Sequence, residues 1–70
     1  MKVSPSSRVV GVPLRRMGFP RGALLAGIVH EERVIIPRGD DLLHAGDTAI
    51  VLSTRAARPV VERLFRATKS

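Results

Sequence analysis

Three short apolar runs dominate the stretch from Gly22 to Thr54, and two polar connections separate them. The runs are Ala23–Val29, Val34–Ile36 and Thr48–Ser53. Periodicity does not distinguish a strand from a helix fragment in the first run, but all three runs are shorter than a helix of roughly 10–12 residues, which favours strands. Pro37 ends the second run, because proline has no N–H to donate to a sheet. The stretch therefore predicts three short strands.

The segments on both sides of this stretch are typical of short helices. Val12–Met17 has Pro13 near its start, where a missing N–H costs nothing, and Gly18 follows as a stop. Near the C-terminus, Thr54 is an N-cap candidate, and Pro59 must lie in the first helical turn because deeper in a helix it would break the hydrogen bonding. An apolar face on this second helix comprises Val60, Val61, Leu64 and Phe65.

The order of these elements predicts the fold class. We expect a small α+β domain with the order (β)-α-β-β-β-α, a mostly antiparallel sheet and two short helices. Residues 1–8 are expected to form a loose N-terminal leader or an edge strand, residues 9–66 the domain itself, and residues 67–70 a C-terminal tail.

A chain of 70 residues without cysteine has few ways to stabilise a small core. Disulfides and thiolate metal sites are excluded, and the core must be aliphatic because 44% of the residues are hydrophobic but only 3% are aromatic. Dimerisation is the expected source of extra stability, each subunit covering the other's apolar strand surface. No apolar run approaches the roughly 18 residues of a membrane span, and the N-terminus lacks a signal-peptide core, which predicts a cytoplasmic location.

The net charge of +6 is compatible with nucleic acid, an anionic membrane surface or a phosphate-bearing ligand as partner. Nucleic acid is disfavoured, because the basic segment from Leu14 to Met17 has no aromatic side chains to stack on bases and no second helix for a helix-turn-helix. We expect no nucleic-acid partner.

The connection after the second strand carries the most specific motif of the chain. Ile35-Ile36-Pro37-Arg38-Gly39-Asp40 is followed by Leu43-x-x-Gly46-Asp47, and Ala23-Leu24-Leu25-Ala26 precedes both. This pattern resembles the TrkA-C (RCK-C) domain, the C-terminal regulatory subdomain of bacterial and archaeal regulators of potassium channels and transporters. Val10–Leu14 resembles the first short helix of that family, and Arg58–Phe65 resembles its last. The resemblance extends over roughly Val9–Phe65.

The resemblance implies an α+β domain that dimerises and binds a small regulatory ligand near the subunit interface. In that family the domain usually follows a Rossmann-type nucleotide-binding domain, but this chain has no GxGxxG motif after a strand, so binding of NAD or ATP is not carried over. The implied partners are a second copy of the chain and a membrane cation channel or transporter, or a Rossmann-type domain in the full-length protein. Some members sense a cyclic dinucleotide, which is the candidate ligand here, and the transporter partner implies the inner face of the membrane.

The candidate ligand-binding residues are Arg33, Ile35, Ile36, Pro37 and Arg38. In this interpretation the two arginines supply positive charge for a phosphate, while the apolar residues contact a base. The alternative is structural: one of the isoleucines belongs to the core and the arginines are surface residues.

Other chemically active residue types fit structural roles better. The acidic residues of the second connection are typical of turns, because an aspartate side chain accepts hydrogen bonds from nearby backbone N–H groups; they are Asp40, Asp41 and Asp47. Binding of a cation is the alternative, although their spacing lacks the pattern of a calcium loop. His30 is expected at a hairpin tip with no third metal ligand in evident reach, so no metal site is predicted. Ser53 and Ser6 have no arranged base with His44, and no catalytic residue is predicted.

These observations predict a regulatory ligand-sensing and dimerisation domain linked to potassium transport, and no enzymatic activity. The main alternative is a structural interaction module without a small-molecule ligand. A nucleic-acid-binding protein is the third hypothesis.

Overall fold

The computed structural model describes residues 1–66, so the predicted tail at residues 67–70 lies outside the described part of the chain. In chain order, the elements are a 3₁₀ turn (Leu14–Arg16), strand β1 (Ala23–His30), strand β2 (Arg33–Ile35), strand β3 (Thr48–Ser53) and helix α1 (Arg58–Phe65). The predicted α+β class is confirmed, with the three strands in the order expected.

The strands form one antiparallel sheet in the order β2-β1-β3. Val29 of β1 lies opposite Val34 of β2, and Leu24 of β1 lies opposite Leu52 of β3. A β-bulge between Leu25 and Gly27 shifts the register within β1. Because a bulge changes which face the following side chains point to, the residues on its two sides do not follow one alternating pattern.

The hairpin between β1 and β2 has a two-residue loop, Glu31-Glu32, in which both residues have positive φ (48° and 68°). This is the backbone of a tight primed turn, whose twist matches that of the flanking strands. Asn-Gly usually occupies such turns, because other residues pay a steric cost at positive φ. The hairpin was predicted although the sequence lacks that marker.

The connection between β2 and β3 contains two hydrogen-bonded turns. In the first, the N–H of Asp41 donates to the carbonyl of Arg38, and the Asp41 side chain accepts the N–H of Arg38 at 2.8 Å. In the second, the N–H of Asp47 donates to the carbonyl of His44, and the Asp47 side chain accepts the N–H of His44 at 2.9 Å. Gly46, at φ 90°, provides the conformation that the second turn requires. Both aspartates therefore have the turn role expected of them.

The first predicted helix is shorter than expected. Val12–Met17 forms only a single 3₁₀ turn, Leu14–Arg16. The N–H groups of Leu14 and Arg15 donate to the carbonyls of Asp41 and Gly39, at 3.0 and 3.1 Å. These bonds attach the segment to the β2–β3 connection, and Gly18 at φ 73° then ends it. The prediction of two helices was therefore half wrong: long-range hydrogen bonding replaces a second α-helix.

The last helix differs from its prediction only at its beginning. Helix α1 starts at Arg58, and Ala57 occupies the N-cap position without a side-chain hydrogen bond. The Thr54 hydroxyl instead accepts the N–H of Ala57 at 3.2 Å, so it stabilises the turn that precedes the helix. Pro59 lies in the first turn, as predicted. The predicted second strand, Val34–Ile36, is likewise displaced by one residue, because β2 spans Arg33–Ile35.

One face of the sheet covers the hydrophobic core. The buried core residues are Val3, Val9, Met17, Ile28, Leu43, Ala49, Val61 and Phe65. Leu43 is fully buried and reaches this core from the β2–β3 connection, while α1 contributes Val61 and Phe65. At the N-terminus, Lys2 forms an antiparallel bridge with Thr48, and the N–H of Val3 donates to the Asp47 carbonyl at 2.8 Å. The first residues thus lie against the start of β3.

Candidate functional site

The five predicted ligand-binding residues do not converge on one site. Arg33 is exposed at the hairpin end of β2, opposite His30. Ile35 lies opposite the buried Ile28, and both line a recess on the core side of the sheet. Ile36 is 76% exposed. The remaining two residues, Pro37 and Arg38, line a different recess.

This second recess, here named the arginine recess, has a volume of about 260 Å³. Its charged residues are Arg15 and Arg38. The other lining residues are Leu14, Met17, Phe19, Ala23, Leu24, Leu25, Pro37 and Gly39. Arg15 forms an ion pair with Asp40, whose side chain is 90% exposed. An apolar wall beside two arginine residues, one of them paired with Asp40, suits a ligand with a flat apolar part and an anionic part.

The second face of the sheet is apolar and uncovered by any element of residues 1–66. Leu24 and Leu52 face each other across β1 and β3 and are 60% and 59% exposed. Ile50, on β3 with Leu52, is 43% exposed, and Val34 on β2 is 68% exposed. The pairing register places these four side chains on one side of the sheet, and we name them the outer apolar face. Exposed apolar surfaces of this kind mark sites of protein association.

A third feature lies where β1 ends against the β2–β3 connection. Nδ1 of His30 forms a short hydrogen bond with Oδ1 of Asp47, and Nδ1 of His44 lies 3.8 Å from Oδ2 of the same carboxylate. The two imidazole rings are 5.5 Å apart between centroids. The Asp47 side chain is only 3% exposed, whereas those of His30 and His44 are 36% and 62% exposed. We name these three residues the His–Asp–His cluster.

The cluster perturbs the protonation of its members. The hydrogen bond with Asp47 raises the pKa of His30 above its ordinary value, and the negative charges of Asp47 and Glu31 add to this effect while desolvation opposes it. Burial acts to raise the pKa of Asp47, but the hydrogen bonds from His30 and from the His44 backbone outweigh burial and lower it. The arrangement thus favours an ionised carboxylate beside a protonated imidazole.

Sequence reasoning missed this cluster. The sequence predicts His30 at a solvated hairpin tip without further ligands, but His30 lies beside His44 and Asp47, which are 14 and 17 positions further along the chain. The His44-x-x-Asp47 spacing across the turn at Gly46 was a local sign that two of the three groups would be close. The position of the third group, the His30 side chain, depends on the pairing of β1 with β3, which no local pattern indicated.

Among the described residues, no helix is both long enough and apolar enough to cross a membrane.

Comparison with known proteins identifies the family. The model of the TrkA-C domain matches residues 1–66. The chain is 41% identical over 63 residues to the Trk system potassium uptake protein TrkA homolog 2 of Methanosarcina mazei, covering 90% of this chain but 14% of that protein. It is 30% identical over 64 residues to the K(+)/H(+) antiporter NhaP2 of Shewanella baltica, covering 91% of this chain and 11% of the antiporter. The chain therefore spans well under a fifth of the length of these relatives.

A solved structure shares the fold. It is described as "Structure of RCK domain with cda", and it superposes with a TM-score of 0.76 at 19% sequence identity, covering 94% of this chain and 96% of that one. The fold, the TrkA-C match over residues 1–66 and the identity to the Methanosarcina protein agree, and this chain belongs to the TrkA-C domain family.

Proposed function

We propose that this chain is a non-catalytic regulatory domain that dimerises and senses a small anionic ligand, within a system that transports potassium ions. The names of two relatives support the link to potassium, since one is a potassium uptake protein and the other a K(+)/H(+) antiporter. The partner in this proposal is a cation transporter or channel, or a Rossmann-type domain of a longer protein, and the domain acts on the cytoplasmic side of the membrane.

The outer apolar face is the observation that carries the proposal. It exposes Leu24, Val34, Ile50 and Leu52 on one side of the sheet, while the opposite side is covered by the core. A second copy of the chain fits this face best, because a two-fold dimer covers the same apolar patch on both subunits at once. The four residues of the face are also uncharged, so a dimer formed through them would not have to bury a charged side chain.

Dimerisation is tested by sedimentation equilibrium over a range of protein concentrations. We expect a dimer for the parent chain and a monomer for Leu52→Glu, because the substitution would bury a carboxylate at the centre of the interface. Ser53→Glu is the matched control, since Ser53 is exposed on the same strand and its side chain points away from Leu52. A parent chain that stays monomeric at high micromolar concentration, or a Leu52→Glu dimer of unchanged affinity, would contradict the proposal.

The arginine recess is the proposed ligand site. It contains Pro37 and Arg38 from the predicted set, and it is also lined by Arg15, whose guanidinium group is paired with Asp40. Leu24 belongs both to this recess and to the outer apolar face. A ligand bound there would lie next to the dimer interface, so it could favour one arrangement of the two subunits over another. That coupling is how binding would reach an attached transporter.

Ligand binding is tested by thermal-shift titration with cyclic dinucleotides, mononucleotides and inorganic phosphate. We expect a saturable rise in Tm for one class of compound, because a ligand that binds only the folded state stabilises it. Arg38→Ala should abolish the rise. Arg33→Ala is the matched control, because it removes the same group from the same segment but lies outside the recess.

The two other outcomes are informative. A loss of the response in Arg33→Ala but not in Arg38→Ala would place the ligand on β2, outside the arginine recess. A flat response across all compounds, with the dimer intact, would favour the structural interaction module that holds a larger assembly together without a ligand.

A further inference from the structure

We propose that the His–Asp–His cluster is a binding site for a divalent transition-metal ion of the zinc, cobalt or nickel type. His30, His44 and Asp47 each offer one ligand atom, and these atoms all lie within 4.8 Å of one another. A zinc ion with bonds of about 2.0–2.2 Å needs its ligand atoms roughly 3.4 Å apart. A movement of about an ångström, available to exposed imidazole rings by rotation, would therefore bring the three atoms into the first coordination shell.

Asp47 is the fixed member of the site. Its carboxylate is nearly fully buried, and its second oxygen accepts the N–H of His44 at 2.9 Å. The Asp47 backbone is held on both sides, since its carbonyl accepts the N–H of Val3 and its N–H donates to the His44 carbonyl. Hydrogen bonds of this kind orient a ligating carboxylate before the metal binds.

The two histidines are the adaptable members. Their side chains are 36% and 62% exposed, so neither ring is locked by packing. Nδ1 of His30 is hydrogen-bonded to the Asp47 carboxylate. A metal ion would take the place of the proton shared between these two atoms and release it to solvent, which is the usual exchange when a histidine becomes a ligand.

The type of ligand decides the type of metal. Two imidazole nitrogens and one carboxylate oxygen suit zinc, cobalt and nickel, whereas calcium and magnesium prefer oxygen ligands alone. Three protein ligands leave a coordination position open. The adjoining recess of about 250 Å³, which Asp40 and Asp41 also line, has room for water or a small anion at that position. The site shares no residue with the arginine recess or with the outer apolar face.

The test uses the 70-residue chain without a histidine tag, treated with a chelator and then dialysed. Titration with Co²⁺, followed by visible absorption, should give d–d bands that saturate at one equivalent per chain, and Zn²⁺ should displace the cobalt. Zn²⁺ alone should raise Tm in a saturable manner, because a metal that binds only the folded chain stabilises it.

The decisive variant is His44→Ala, which should weaken Co²⁺ and Zn²⁺ binding by at least about tenfold. It is expected to fold, because Asp47 contacts the backbone N–H of residue 44, which alanine retains. His30→Ala should weaken binding to a similar extent. Asp40→Asn is the control, since it removes an exposed carboxylate from the same recess without removing a proposed ligand. Far-UV circular dichroism verifies that each variant is folded.

Two results would overturn the proposal. One is the absence of saturable Co²⁺ binding by the folded parent chain at high micromolar metal. The other is binding that His44→Ala and His30→Ala leave unchanged, or that Asp40→Asn weakens as much as they do. Either result would leave the cluster as a hydrogen-bonded contact between β1 and the β2–β3 connection.

Discussion

Replacement of Asp47 by alanine should destabilise the domain far more than the same replacement of Asp40. The Asp47 carboxylate is 3% exposed and accepts hydrogen bonds from the His44 backbone and from His30. Hydrogen bonds to a charged group contribute about 1.5–3 kcal/mol, and the variant leaves the His44 N–H without its acceptor. Because the His30 side chain is partly in water, we expect a loss near the middle of this range, about 2 kcal/mol.

Two further variants calibrate this loss. Asp47→Asn keeps an oxygen for the His44 N–H but loses the charge that His30 pairs with, so it should lose about 1 kcal/mol. Asp40→Ala removes only an ion pair with Arg15 at the surface, where the Asp40 side chain is 90% exposed. Such pairs contribute about 0–1 kcal/mol, so Asp40→Ala should change the stability little.

The free energy of unfolding is measured by urea denaturation, with all variants at one protein concentration and in the presence of a chelator. At roughly 4–8 °C per kcal/mol for a domain of this size, Asp47→Ala should also lower Tm by about 8–16 °C. The reasoning would be refuted if Asp47→Ala and Asp40→Ala differed by less than about 0.5 kcal/mol, because burial and hydrogen bonding would then not determine the contribution of Asp47.

Three further predictions concern other parts of the chain. Leu43→Ala should lower the free energy of unfolding, measured by urea denaturation, by about 2–5 kcal/mol, because Leu43 is fully buried. Leu42→Ala should lower it by less than half as much, because Leu42 is 40% exposed, and equal losses would contradict the assigned core. Replacing Glu31-Glu32 by Asn-Gly should stabilise the chain by about 1–2 kcal/mol, because both residues have positive φ, and an unchanged or lower stability would argue against that turn. With chelator present, the free energy of unfolding that His30→Ala loses should be greatest below a pH of about 6.5. The loss should decrease as the pH rises through the raised pKa of His30, because the neutral ring keeps only an uncharged hydrogen bond; a loss that grows between a pH of about 7 and about 9 would contradict the pairing.

Local residue chemistry accounts for much of the secondary structure. The strand runs were recognisable because they are short, apolar and bounded by turn residues. The turns of the β2–β3 connection were recognisable because aspartate and glycine stabilise such turns through bonds to their own neighbouring backbone. Pro59 limited where α1 could begin, since its ring excludes any later position in the helix.

The faces of the sheet could not be derived in the same way. Leu24 and Ile28 are four positions apart, so simple alternation places them on one face of β1. In the structure Leu24 is 60% exposed and Ile28 is 2% exposed, because the bulge between Leu25 and Gly27 lies between them. The outer apolar face, and with it the proposed dimer surface, depends on that bulge and on the register of β3.

The sequence by itself determined the three strands, the last helix and the turns between them, because each depends on residues that are close together in the chain. Only the tertiary structure decided that Val12–Met17 would bond to the β2–β3 connection and form a 3₁₀ turn. It also decided that Arg33 and Arg38 would separate, and that His30 would meet His44 and Asp47. These outcomes depend on strand register and on hydrogen bonds between distant segments, and no local pattern of residues encodes either one.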